Sequence, residues 1–346
     1  METRIMTNKS SHLPLPGHYS PEKADQVYRV DYAKLAHDAK NWSNLHRIKP
    51  AGTDRKRILL MLVDIQNTFC IPSYELFVGG RSGKGAVEDN QRLCKFIYHN
   101  LASITKITIT MDTHSPIQIF HPIFWVDESG NHPEPYNRIT LDDINTHRWR
   151  YNPLITYYLP LISDMEQYVE YYVKTLTYEG KYDLTIWPYH AMLGGIGHAL
   201  VPILEEAIFF HSIARNTQPN YEIKGDHPLT EHYSALKPEV DHDLKGNKMG
   251  KFNSAIIEDL NVFDAMYIAG QAKSHCVAFT IRDLLNEIKK LNKDLVKKVF
   301  LLEDCSSPVV IPGVIDYSEL ADKAYHEFEK EGMTIVQSSE PIFNLD

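Results

Sequence analysis

Cysteine is scarce: 346 residues hold four, Cys70, Cys94, Cys276 and Cys305, far apart and without a CxxC pair. This spacing excludes a disulfide framework and a cysteine-rich zinc site, and it fits a reducing compartment. Long apolar runs are also missing. No uninterrupted stretch is long enough to span a bilayer, and Met1 to Lys9 has no apolar core of the signal-peptide kind. The expectation is a cytoplasmic chain with no membrane partner. Positive charge is not in excess either, and a formal net charge of -9 argues against a nucleic-acid or anionic-membrane surface. There is no internal repeat and no low-complexity segment. The length allows a sizeable core, in one large domain or two.

What is present is an alternation of strand and helix signals. Ile58 to Val63 is a continuous apolar run ended by Asp64, the pattern of a strand buried on both faces of a parallel sheet. Sites in open α/β sheets form outside the carboxyl ends of the strands, so Asp64 is expected at a catalytic edge. Ala86 to Ser103 reads as a crossover helix, and Ile104 to Met111 as the next strand, followed by Asp112, Thr113 and His114. The alternation lapses from Pro122 to about Ile186. Residues from Leu154 to Tyr178 are dense in Tyr, Leu and Ile and read as helix from Ser163 onward, so this stretch is expected to be an insertion serving as a lid or oligomer contact. A helix from about Gly197 to Ala214 follows, then a short strand Tyr221 to Lys224 and a short helix within Ser254 to Asp259. Next come a strand at Val262 to Ile268, a helix at Val277 to Leu291, strands at Val299 to Asp304 and Met333 to Val336, and a helix at Ser318 to Lys330 between those two. The alternation predicts a three-layer α/β/α, doubly wound sheet of about six parallel strands over residues 56–346. Residues 1–55 are polar, with early prolines and a short helix from Asp31 to about His46. They read as an N-terminal extension lying across the domain surface or a neighbouring subunit.

Three predicted strand ends bring Asp64, Lys224 and Cys276 to one edge of the sheet. A thiol that acts as a nucleophile at neutral pH needs a base and a cation, and Asp with Lys supply both. Cys276 also stands where a strand turns into a helix, and the free N–H groups of a first helical turn stabilise an anion. The expected thiol pKa lies below the free value of about 8.5. Taken singly, each residue has a plainer reading: a buried structural cysteine, an aspartate cap, a solvated lysine. A second cluster comprises Asp112, His114 and His190, with His121 close in sequence. Residues two apart in an extended segment point the same way, so Asp112 and His114 suit two ligands of one metal. With 17 histidines in the chain, a hydrogen-bonded loop pair is the competing explanation.

Together these segments resemble the isochorismatase-like cysteine hydrolases, and among them most the nicotinamidases. Leu62-Val63-Asp64-Ile65-Gln66-Asn67-Thr68-Phe69 is similar to the family's opening motif. Met111 to Pro116 with Gln118 to His121 resembles its metal segment, and Trp187-Pro188-Tyr189-His190 its WPxH partner. Glu222 to Gly225, followed by Tyr233-Ser234-Ala235, resembles the catalytic-lysine segment, and Gly270 to Val277 the nucleophile loop. All five occur in the family's order between roughly Arg57 and Val336. Ser274 stands where nicotinamidases commonly carry Asp, Ala191 where they commonly carry Cys, and the chain is longer through its extension and insertion.

The resemblance implies a hydrolase in which Asp64 is the base, Lys224 stabilises the thiolate, and Cys276 attacks the carbonyl of a small amide substrate to give a thioester. It also implies an oxyanion hole from the Ala272 and Cys276 N–H groups, with a cis peptide before Ala272. Phe69, Trp187 and Tyr233 would line the substrate pocket. Asp112, His114 and His190, with His121 as a possible extra ligand, would hold a divalent metal, zinc first and iron or manganese as alternatives. Nicotinamide or a related carboxamide is the expected substrate, and a homo-oligomer the expected assembly. An amidase acting on an N-carbamoyl compound or ureide, and a catalytically silent binding protein of the same fold, are the competing readings.

Overall fold

The computed structural model describes residues 12–159, 164–178 and 182–342. Its centre is a parallel sheet of six strands: β1 (Ile58–Val63), β2 (Ile104–Asp112), β3 (Asn220–Lys224), β4 (Ala265–Gly270), β5 (Val299–Leu302) and β6 (Thr334–Val336). They lie in the order β6-β5-β4-β1-β2-β3, every neighbouring pair parallel. Winding runs one way from β1 to β3 and the other way from β4 to β6. The switch point therefore falls between β1 and β4, where doubly wound sheets open a crevice at their carboxyl ends.

The apolar run of β1 is buried throughout because both faces are covered. Ile58, Leu60 and Leu62 join one core and Leu59, Met61 and Val63 the other, as the two-residue period of a strand requires. The main helices are α1 (Tyr32–His46), α2 (Gly85–His99), α3 (Met165–Tyr178), α4 (Pro202–Arg215), α5 (Ala255–Val262), α6 (Ala278–Leu291) and α7 (Ser318–Lys330). Among the described residues no helix is long and apolar enough to cross a membrane.

Boundaries shift from the sequence expectation for local reasons. α2 stops at His99, where the Asn100 side chain donates to the Phe96 carbonyl and ends the helical ladder. α4 begins five residues after Gly197, with Pro202 in the first helical turn, where a missing N–H costs nothing. Between β4 and α6 the chain makes a π-helical turn, Lys273–Val277, in place of a direct passage into helix. Such turns recur at functional sites.

Of the expected extension, residues 1–11 lie outside the described residues. α1 buries Leu35 and Ala39, and its Ser43 hydroxyl donates to the Ala214 carbonyl of α4. This part of the extension lies on the domain surface. In the expected insertion, residues 160–163 and 179–181 lie outside the described set, Ser163 among them. α3 buries Tyr168 and Tyr172 completely. Tyr168 donates to the Leu229 carbonyl at 2.6 Å, and the Tyr172 hydroxyl accepts the Glu231 N–H at 3.0 Å. The insertion thus braces the loop that follows β3.

Candidate active site

The carboxyl ends of β1, β3 and β4 place Asp64, Lys224 and Cys276 together, as their strand-end positions predict. Asp64 leaves β1 with φ +48°, a conformation few non-glycine residues adopt. Its carboxylate is fully buried and accepts the Thr110 hydroxyl at 2.5 Å. The Lys224 ammonium lies 2.9 Å from Asp64 Oδ2, 2.9 Å from Asp112 Oδ1 and 3.6 Å from Cys276 Sγ, and it donates to the His232 carbonyl at 2.9 Å. Gly270 permits this closeness. A Cβ there would sit 2.1 Å from the Val63 carbonyl oxygen, at φ +121°, so β4 could not run past β1 with any larger residue.

Electrostatics separates the three groups. Burial works against the Lys224 charge, but Asp112 and Asp64 hold its pKa well above the ordinary lysine value. Burial pushes the Asp64 carboxyl up, with Lys224 opposing, which makes it a stronger base than a solvated aspartate. The thiol corrects the sequence expectation. Burial lifts Cys276 well above its ordinary pKa; Lys224 pulls it down, while Asp64 and Asp112 push it further up. Burial favours the protonated thiol, and the sequence could register the nearby cation but not the extent of desolvation.

The peptide bond between Gln271 and Ala272 is cis. The Ala272 N–H has no hydrogen-bond partner among the described residues, and Cys276 lies within the π-helical turn. Both residues line the same pocket.

Asp112, His114 and His190 converge beside this group, with ligand atoms within 4.8 Å of one another. Each imidazole has one nitrogen against a carbonyl oxygen: His114 Nδ1 against Gly225 at 3.2 Å, His190 Nδ1 against Pro188 at 2.7 Å. A carbonyl only accepts, so these nitrogens carry protons, and both Nε2 atoms are turned toward Asp112. His114 Nε2 then lies 2.9 Å, and His190 Nε2 3.8 Å, from Asp112 Oδ2. Three electron-pair donors facing one another in a buried space call for a cation between them, and the N, N, O set with carbonyls behind the histidines suits a divalent metal. Gly225 leaves room for the arrangement, since a Cβ there would meet Asp112 Oδ1 at 2.6 Å. His121 lies alongside, its ring centroid 6.0 Å from that of His114 and 6.2 Å from that of His190, but it is not one of the three converging ligands. Its Nδ1 faces the Pro116 carbonyl, and its buried Nε2 is unpartnered among the described residues.

Cys276 and the Asp112, His114 and His190 group line one pocket, which leaves about 40 Å³ open to the centre of a water molecule. Phe69, Trp187 and Tyr233 line it as expected. Sequence reasoning missed Glu231, His232 and His275, which line it too. Glu231 Oε1 accepts the Trp187 indole N–H at 3.1 Å and the Tyr233 hydroxyl at 2.5 Å, and burial lifts its pKa to about 8. Its only sequence signal was a place two residues before Tyr233. The insertion reaches the site through Tyr182, whose hydroxyl donates to the Ser274 carbonyl at 3.0 Å.

No family model matches the chain, and no curated protein matches it in sequence. Solved structures do. Yeast nicotinamidase bound to the inhibitor nicotinaldehyde matches at 18% identity over 81% of this chain and 99% of its own, with a TM-score of 0.50. A nicotinamidase/pyrazinamidase from Acinetobacter baumanii matches at 17% identity over 83% of this chain and 98% of its own, TM-score 0.46. Pyrazinamidase of Pyrococcus horikoshii in complex with zinc matches at 18% identity over 81% and 98%, TM-score 0.41. The chain has the α/β fold of the yeast enzyme, the isochorismatase-like fold.

Proposed function

We propose that this protein is a cysteine amidase that hydrolyses a small carboxamide, nicotinamide or a close relative, to the acid and ammonia. The observation that carries the reading is the Lys224 ammonium bridging Asp64 at 2.9 Å and Cys276 Sγ at 3.6 Å, with Cys276 itself in the wall of a small, largely apolar pocket. Asp64 takes the proton from Sγ as sulfur attacks the carbonyl carbon, and Lys224 stabilises the developing thiolate. The carbonyl oxygen becomes an oxyanion received by the Ala272 and Cys276 N–H groups. The C–N bond breaks as Asp64 returns its proton to nitrogen, so ammonia leaves and a thioester remains on Cys276. Water then gives a proton to Asp64 while its oxygen attacks the thioester. The C–S bond breaks, the acid leaves, and Asp64 reprotonates sulfur.

Asp112, His114 and His190 would hold a divalent metal, zinc first with iron or manganese as alternatives, and His121 is placed to assist. When bound, such an ion supplies positive charge and open positions that orient a ring nitrogen or water. Phe69 and Trp187 would enclose a flat ring.

The test is ammonia release from a panel of ring carboxamides, N-carbamoyl compounds and ureides. The expected result is turnover of at least one ring carboxamide that Cys276→Ala abolishes. Release only from the carbamoyl compounds or ureides would move the substrate class, and turnover surviving in Cys276→Ala would remove the mechanism.

A further inference from the structure

Lys273 opens the π-helical turn that carries Cys276, yet it does not line the pocket. Its side chain is only 7% exposed, and a buried ammonium is costly unless it is paired. Nζ lies 3.1 Å from Glu303 Oε1, 2.9 Å from Asp322 Oδ1 and 4.5 Å from the centroid of the Tyr325 ring. Glu303 directly follows β5, and Asp322 and Tyr325 stand one turn apart on α7. Asp322 is held from its other side as well, where Oδ2 pairs with Arg81 at 2.7 Å. The nucleophile turn, the end of β5 and helix α7 thus meet on one ammonium group.

The backbone of the turn is fixed from the same side. The Lys273 N–H donates to the Ser307 carbonyl at 2.8 Å, and Ser274 Oγ receives the Val309 N–H at 3.0 Å. Inside the turn, the His275 and Val277 N–H groups close on the Ala272 carbonyl at 3.0 and 3.2 Å. Cys276 lies between these last two donors, so its place follows from where residues 272 to 274 are held. A neutral side chain at 273 would leave Glu303 and Asp322 without their shared cation and cut the link from the turn to α7.

We propose that Lys273 is a positioning residue for Cys276, acting from outside the pocket through its ion pairs with Glu303 and Asp322. A buried ion pair roughly breaks even in stability against an apolar contact of similar size, so what this one supplies is a fixed geometry. That geometry keeps Sγ 3.6 Å from the Lys224 ammonium and enclosed, at 7% exposure. The kinetic consequence rests on the amidase reading of the site; the placement of the thiol does not.

The experiment uses the full-length protein with Lys273→Met, Lys273→Arg, and the Glu303→Gln, Asp322→Asn double variant. It reads turnover of a carboxamide that the unaltered protein hydrolyses, and iodoacetamide labelling of each cysteine by mass spectrometry. Displacing a reacting group by about 1 Å costs up to a hundred-fold, so Lys273→Met should lower kcat roughly ten- to a hundred-fold with little change in KM. A loosened turn exposes the thiol, so Cys276 should label faster while Cys70 and Cys94, buried elsewhere in the core, stay slow. Arg keeps the charge and should recover part of the kcat. The double variant should match Lys273→Met, and adding Lys273→Met to it should cost little more, as expected of groups acting as one unit. If Lys273→Met does not fold, Asp322→Asn carries the test with the same expected signs. Labelling of Cys276 at the unaltered rate overturns the inference, as does a rise in KM at constant kcat, or faster labelling of Cys70 and Cys94 together with Cys276, which would report general unfolding. If the unaltered protein turns over no carboxamide, the amidase reading falls and the labelling alone decides the role of Lys273.

Discussion

Replacing Lys224 by Met tests whether the three strand ends act as one unit. Met fills a similar volume without charge, so the change removes an ammonium group 3.6 Å from Cys276 Sγ and 2.9 Å from each of two carboxylates. Two unit charges at about that distance interact by roughly 4 kcal/mol at an effective dielectric of about 20. Each 1.36 kcal/mol is a factor of ten in rate. A transition state that carries thiolate character should therefore be reached about a thousand-fold more slowly. The substitution also strands two buried carboxylates, and breaking a buried ion pair costs about 3–5 kcal/mol, so rates must be normalised to folded protein by circular dichroism. The direct assay is iodoacetamide alkylation of Cys276 against pH. The unaltered thiol, held protonated by burial, should react slowly near neutrality and faster as pH rises, and the Met variant should show the same curve displaced to higher pH. An alkylation curve that does not move, or hydrolysis within tenfold of the unaltered protein, would mean that Lys224 does not act on the thiol.

Other perturbations read other parts of the site. Protein purified without chelator should contain about one divalent transition metal per chain, His190→Ala should lose most of it by elemental analysis, and full occupancy in an Asp112→Ala, His114→Ala double variant would place the ion elsewhere. Glu231 holds its proton up to about 8 when folded, against an ordinary value of 4.5, so between those pH values the folded state binds more protons and stability should fall as pH rises. Urea unfolding of Glu231→Gln at pH 5 and pH 8 should show a smaller decline than the unaltered protein, and an equal decline would assign the pH dependence to other groups. Tyr172→Phe leaves the buried Glu231 N–H without its acceptor and should cost about 1–3 kcal/mol, read as a lower urea midpoint at unchanged m-value.

The fold was legible because its signals are local. Six buried apolar residues in β1 and the inward-facing periodicity of α2 need no knowledge of distant chain. Bringing the strand-end side chains together then follows from the geometry of parallel sheets, and Asp64, Lys224 and Cys276 do meet there. What escaped depends on contacts made only after folding. His232 meets the Gly225 N–H, and His275 the Ser274 hydroxyl, only once the chain has folded. The elevated Cys276 and Glu231 values arise from burial, which neither residue's sequence neighbours report. Helix starts were misplaced where a turn with no apolar rhythm preceded a proline, as before Pro202.

A raised thiol pKa opposes loss of the thiol proton to solvent, and a charge count at the site shows where that proton can go instead. With the thiol protonated, the side chains of Asp64 and Asp112 carry two negative charges and Lys224 one positive, a sum of -1 apart from any ion that Asp112, His114 and His190 would hold. Losing the thiol proton to solvent would take it to -2 in a dry pocket, which burial penalises and which slow alkylation at neutral pH would report. Moving the same proton to Asp64 leaves the total at -1. Only the position of the charge changes, from a carboxylate 2.9 Å from the lysine to a sulfur 3.6 Å from it. The elevated Asp64 value lowers the cost of that transfer, since base and thiol are displaced upward by the same burial. On the proposed mechanism, thiolate then forms only in concert with an internal base. Asp64→Asn should accordingly abolish hydrolysis while leaving alkylation at high pH intact, because solvent hydroxide can still remove the thiol proton.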